Sequence, residues 1–146
     1  MEVKREYYLN QLISHKHNGL IKIISGIRRC GKSYLLSELF RKHLLAEGVK
    51  KDHIIHIALD DYEKKQYRNP DNCYKYVKSS IKDDEMYYLL LDEVQMMDSF
   101  EDVLNGFLHI KNLDVYVTGS NSKFLSSDVV TEFRGRGDEI RVYPFS

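Results

Sequence analysis

Residues 20–48 read LIKIISGIRRCGKSYLLSELFRKHLLAEG, and the way this stretch divides decides the fold. Leu20 to Ser25 is a short run rich in β-branched residues. Gly26-Ile27-Arg28-Arg29-Cys30-Gly31-Lys32-Ser33 matches the pattern G-x-x-x-x-G-K-[ST]. From Lys32 to Glu47 the apolar residues Leu35, Leu36, Leu39, Phe40 and Leu44 recur at helical spacing, and Gly48 suits a C-terminal cap. Ordinary residue usage would produce this octet by chance in about one chain in two hundred of this length. Its position between an apolar strand and an amphipathic helix is the context that gives it meaning.

The spacing has a chemical reason. Gly26 and Gly31 let the backbone turn tightly, so successive N–H groups of residues 26–33 point inward at phosphate oxygens. Tyr34 follows on the helix, whose N-terminal end adds positive potential. Lys32 reaches the β and γ phosphates, and the Ser33 hydroxyl is a ligand for Mg²⁺. Arg28 and Arg29 either thicken the positive field or face a partner. Cys30, among these cations at a helix start, is expected to carry a lowered thiol pKa.

Outward from this loop, elements alternate. Met1 to His17 reads as an amphipathic helix with Tyr8, Leu12 and His15 on one face, ended by Gly19. His53 to Leu59 (HIIHIAL) reads as a second strand. Asp60 to Asn69 reads as a polar connection, and Asp71 to Ile81, preceded by Pro70, as a helix. Met86 to Leu91 (MYYLLL) is a continuous apolar run, suited to a central parallel strand buried on both faces. Ser99 to Leu108 reads as a helix and Asp114 to Thr118 (DVYVT) as the fourth strand. Ser122 to Phe133 is expected to be a loop with a short helix, and Glu139 to Tyr143 (EIRVY) a fifth strand. Strands separated by helices imply an α/β fold with a parallel sheet and helices on both faces.

The second half of a phosphate site needs an acidic residue at the end of a buried strand. Leu91-Asp92-Glu93 supplies it: Asp92 would hold Mg²⁺, usually through water, and Glu93 would activate the attacking water. The fourth strand runs into Thr118-Gly119-Ser120-Asn121. If that strand lies between the first and third, its end faces the γ-phosphate, and Asn121 and Ser120 are both candidates for sensing it. Arg134-Gly135-Arg136 precedes the last strand; such an arginine can stabilise transferring phosphoryl charge, or can be a solvated basic loop.

The remaining composition narrows the classes. The chain has 146 residues, enough for one domain with its own core, and no internal repeat. Lys plus Arg is 22 and Asp plus Glu is 22. That balance argues against a broad footprint for nucleic acid or acidic membranes. Two cysteines, Cys30 and Cys73, exclude a disulfide scaffold and a cysteine-rich zinc site, and the expected location is a reducing cytoplasm. No run approaches the roughly 18 apolar residues of a membrane span, and the N-terminus is not a signal peptide. His53 and His56 lie three apart on a strand, where side chains face opposite sides, so a metal shared between them is not expected.

Taken together, Gly26 to Ser33, Leu90-Leu91-Asp92-Glu93-Val94-Gln95, Thr118-Gly119-Ser120-Asn121-Ser122, and Arg134-Gly135-Arg136 ahead of Tyr143-Pro144-Phe145-Ser146 form a set. In that order they resemble the bacterial and archaeal AAA-superfamily ATPases with an RRxGKS phosphate loop and a DEVQ Walker B motif. The resemblance extends over essentially the whole chain, including Arg5 and Tyr8-Leu9. It implies a P-loop NTPase core of the RecA/AAA type, a three-layer sandwich with strand order 5-1-4-3-2, and ATP or ADP with Mg²⁺ as ligands. It implies an ATPase core over 1–146, with 1–19 as a helical arm, and members continue into a helical lid and a C-terminal domain. Self-association or that further domain would be the partner. Catalytic roles fall on Glu93, Lys32, Asn121 and Arg136. ATP hydrolysis is the leading expectation, and a nucleotide-dependent switch with little intrinsic hydrolysis is the alternative. A small-molecule kinase is disfavoured by Glu93 directly after Asp92. A GTPase is disfavoured by the lack of Asn-Lys-x-Asp and of Gly three residues after Asp92.

Overall fold

The computed structural model describes residues 2–26, 31–119 and 137–141, with side chains given for residues 5–26 and 31–119 and for Ile140. Five strands form one sheet: β1 (Ile21–Ser25), β2 (Ile54–Ala58), β3 (Tyr87–Asp92), β4 (Leu113–Gly119) and β5 (Gly137–Arg141). Their order across the sheet is β2-β3-β4-β1-β5 and every pairing is parallel. Read from the β5 edge this is 5-1-4-3-2, the order the family resemblance implies.

The apolar run in β3 is buried at all six positions, as expected of a strand covered on both faces. Neighbouring side chains point to opposite faces, so β3 feeds two cores. Leu89 and Leu91 join Ile23, Ile57, Val115 and Val117 on one face, under Cys73 and Val77 of the Pro70–Ser80 helix and Val103, Leu104 and Phe107 of the Phe100–Leu108 helix. Tyr88 and Leu90 join Ile24 and Tyr116 on the other, under Tyr8 and Leu12 of α1 (Glu2–Ser14) and Leu36, Phe40 and Leu44 of the helix after the phosphate loop. The N-terminal arm is therefore part of the core.

The helix after the phosphate loop departs from the expected regular run. It proceeds as Lys32–Tyr34, a wider π-helical stretch Leu35–Phe40, and Arg41–Ala46. The Ser37 hydroxyl donates to the Ser33 carbonyl at 2.5 Å, a bond that competes with the ordinary backbone ladder where the helix widens. The expected polar connection after β2 contains a 3₁₀ segment, Tyr62–Arg68, started by the Asp61 carboxylate accepting from the Glu63 N–H. The next helix starts at Pro70 itself, one residue earlier than expected, because Asn69 caps it by accepting from the Asn72 N–H. The fifth strand, Gly137–Arg141, begins two residues earlier than expected, and residues 142 and 143 of the expected strand lie outside the described residues.

One polar group crosses the core. Lys22 on β1 is fully buried and bonds Asp114 Oδ1 of β4 at 2.5 Å, the Leu20 carbonyl at 2.7 Å and Asn18 Oδ1 at 3.3 Å. Asp114 Oδ2 accepts from the Tyr116 hydroxyl at 2.7 Å and from the His17 N–H at 3.1 Å. Burial, and then the Asp114 carboxylate beside it, push the Tyr116 hydroxyl well above the usual phenol range. Among the described residues no helix is long and apolar enough to cross a membrane.

Candidate functional site

The site is built where the parallel strands end. β4 lies between β1 and β3, with Ile24 beside Thr118, Ser25 beside Gly119, and Leu91 beside Val117. The phosphate loop therefore leaves β1 at the level where β3 delivers Asp92 and β4 delivers Thr118. Adjacent strands sit about 4.8 Å apart, which puts β1 and β3 roughly 10 Å from each other across β4.

Gly26 and Gly31 bound the loop with φ of 150° and 92°, conformations that side-chain-bearing residues rarely adopt. Gly31 starts the helix and its carbonyl accepts from the Leu35 N–H at 2.9 Å. Lys32 is 4% exposed, at the first helical position, whereas Ser33 and Tyr34 are exposed. The Arg5 guanidinium of α1 lies 4.9 Å from the Tyr34 ring centroid, tying the N-terminal arm to this helix. Ile27, Arg28, Arg29 and Cys30 lie outside the described residues.

Asp92 is 3% exposed and each carboxylate oxygen has a partner from a flanking strand. His56 Nε2 of β2 lies 2.9 Å from Oδ2, and the Thr118 hydroxyl of β4 donates to Oδ1 at 3.1 Å. That hydroxyl also accepts from the Glu93 N–H at 2.9 Å. Glu93 has φ 55° and ψ 54°, a left-handed conformation uncommon for a residue with a side chain and typical of functional turns. Gln95 Nε2 donates to Glu93 Oε2 at 2.5 Å. Asp92, Glu93, Thr118, His56 and Gln95 thus form one linked polar cluster.

His56, Thr118 and Gln95 were not singled out as site residues from the sequence. The pairing of β2 with β3, level at Ala58 and Asp92, brings His56 to Asp92. No local pattern reveals such a register. Gln95 stood inside the DEVQ resemblance without a stated role. The expected strand from His53 to Leu59 is shorter, Ile54–Ala58, and His53 ends the 3₁₀ segment before it. His56 therefore turns to Asp92, and His53 to carboxylates at the other end of β2, through different backbone rather than strand alternation.

Asn121 and Arg136 lie outside the described residues. The residue after Arg136, Gly137, pairs with Ile21 at the start of β1. That level is five strand residues before Gly26, roughly 17 Å along the sheet.

A parallel five-stranded sheet with β4 between β1 and β3, a glycine-bounded loop into Lys32, and an acidic pair ending β3 define a P-loop NTPase domain. The chain belongs to a AAA domain family, whose family model matches residues 18–146. It is similar to an uncharacterized protein of Haemophilus influenzae, 33% identical over 145 residues, covering 99% of this chain and 36% of that protein. An uncharacterized protein of Methanocaldococcus jannaschii is 30% identical over 130 residues, covering 86% of this chain and 27% of that protein. The chain thus spans about a third or less of the length of these relatives. Among solved structures, Drosophila ORC bound to DNA has a TM-score of 0.64 at 12% identity, covering 100% of this chain and 97% of that chain. AMPPCP-bound DnaA from Aquifex aeolicus has a TM-score of 0.53 at 19% identity, covering 92% and 43%. These structural likenesses show the fold.

Proposed function

We propose that this domain binds ATP or ADP with Mg²⁺ and hydrolyses ATP to ADP and phosphate. The observation that carries the reading is the cluster at the end of β3. Asp92 is held through both oxygens and Glu93 is set in a left-handed turn, level with the strand that leads into the phosphate loop. In this reading the backbone of Gly26, Ile27, Arg28, Arg29, Cys30 and Gly31 cradles the phosphates. Lys32 pairs with the β and γ oxygens, and Tyr34 lies beside the nucleotide. The exposed Ser33 hydroxyl and the Asp92 carboxylate suit a hard cation that keeps its waters. When bound, Mg²⁺ supplies charge neutralisation at the β and γ phosphates. Glu93 accepts a proton from the attacking water, and Asn121 orients the γ-phosphate.

Residues 1–146 act as one ATPase core with 1–19 as its arm, working in the reducing cytoplasm. Arg136 stabilises charge on the transferring phosphoryl group.

Gln95 favours a second reading, a nucleotide switch. Its amide holds Glu93 Oε2 at 2.5 Å, which keeps that oxygen occupied until the contact opens. Single-turnover hydrolysis separates the readings. The parent converts bound ATP and Glu93→Gln retains binding while losing about 10²–10⁴ in rate, the usual worth of a general base. A parent that binds but does not turn over is the switch, and equal rates for parent and variant remove Glu93 from the mechanism.

A further inference from the structure

At the opposite end of β2 from Asp92 stands His53, the last residue of the 3₁₀ turn Lys51–His53. Its ring is 7% exposed and stacks on Tyr87, with centroids 4.2 Å apart and planes 18° from parallel. Nε2 points at three carboxylates: Asp83 Oδ2 at 3.7 Å, Glu85 Oε2 at 3.8 Å and Asp52 Oδ1 at 3.9 Å. These separations exceed hydrogen-bond length, and the ring makes no hydrogen bond to any described residue. A buried imidazole nitrogen aimed without a bond into a group of carboxylate oxygens is a donor set awaiting a cation.

We propose that His53, Asp83 and Glu85, with Asp52 alongside, bind a divalent transition-metal ion of the zinc type. The ligand atoms of His53, Asp83 and Glu85 lie within 4.8 Å of one another. Two donors each about 2.1 Å from a tetrahedral Zn²⁺ are about 3.4 Å apart, so small rotations of the exposed carboxylates close the set on one ion. The imidazole selects zinc-like ions over Mg²⁺ and Ca²⁺, which take oxygen ligands. Of these carboxylates Glu85 is paired with Lys50 at 3.6 Å, an exposed contact that a divalent ion can displace.

The backbone holding the carboxylates is already tied down. Asn112 Nδ2 donates to the Asp83 carbonyl at 3.0 Å and to the Glu85 carbonyl at 2.9 Å, and the Lys82 N–H bonds the Tyr87 hydroxyl at 3.1 Å. An ion here clamps the start of the edge strand β2 to the turn that leads into β3. The site lies roughly 17 Å along the chain direction of β2 from the level of Asp92, so it does not rest on the ATPase reading.

The test is ZnCl₂ titration calorimetry on the chelator-stripped chain without nucleotide. The expected result is one equivalent bound by the parent, with affinity at least about tenfold weaker in Asp83→Asn/Glu85→Gln. Those amides keep shape, and both side chains are exposed, so the variant folds. His56→Gln, which alters the Asp92 end, leaves zinc binding unchanged. MgCl₂ gives no saturable heat that the double variant removes. No zinc uptake by the parent, unchanged affinity in the double variant, or loss of uptake in His56→Gln overturns the proposal. The first two outcomes would leave His53 as an ion-pair partner of its carboxylates only.

Discussion

His56 Nε2 sits 2.9 Å from Asp92 Oδ2, so a residue of the edge strand β2 holds the carboxylate that ends its neighbour β3. Thr118 holds the other oxygen from the opposite side. With one donor from each flanking strand, the Asp92 carboxylate has a fixed plane.

His56→Ala removes one of these donors. A hydrogen bond to a charged group contributes about 1.5–3 kcal/mol when buried, and the His56 side chain is 31% exposed, so about 1 kcal/mol is expected. The Mg²⁺ concentration for half-maximal hydrolysis should rise about fivefold, with recovery in His56→Gln, whose amide can donate. A magnesium titration unchanged in His56→Ala would dissociate His56 from the function of Asp92.

The Lys22–Asp114 pair offers a stability test. Asp114→Ala leaves a fully buried ammonium without its carboxylate, and breaking a buried pair from one side costs about 3–5 kcal/mol. Adding Lys22→Met removes the stranded charge. Urea unfolding should find the double variant more stable than Asp114→Ala alone. If the double variant is the less stable of the two, Lys22 is not held by Asp114.

Cys73 gives a pH signature. Burial pushes its thiol up from an ordinary 9.0 to about 12. The folded state favours the neutral thiol, so this contribution is complete below pH 9 and is lost as pH rises from 9 towards 12. Alkylation of Cys73 at pH 8 should be negligible until the chain unfolds. Between pH 9 and 11, urea stability should fall more steeply in the parent than in Cys73→Val. Matching slopes would show that Cys73 does not sense the core.

The glycine turns at Gly26 and Gly31 and the helix start at Lys32 were legible because local spacing sets them. So was β3, because the run Met86 to Leu91 leaves no polar face for solvent. The pairings that complete the site were not legible. His56 meets Asp92 across 36 residues and Thr118 meets it across 26, through a strand register that no window of sequence displays. Lys22 lies inside the short β-rich run Leu20 to Ser25. Its burial depends on Asp114, 92 residues away. The widened helix at Leu35–Phe40 escaped periodicity because both helix types bury Leu36, Phe40 and Leu44 on one face.

The most direct measurement of the central claim is calorimetric titration of the chain with Mg·ATP, repeated with Lys32→Ala and without Mg²⁺. Lys32 is buried at the helix start; the proposed site pairs its ammonium with the β and γ phosphates, and a charged contact of this kind contributes about 1.5–3 kcal/mol. The expected result is saturable binding of one nucleotide, weakened by about one to two decades in Lys32→Ala and weakened again when Mg²⁺ is withheld. Binding of equal strength in parent and Lys32→Ala, or none in the parent, would contradict the assignment of residues 26–33 as a phosphate site.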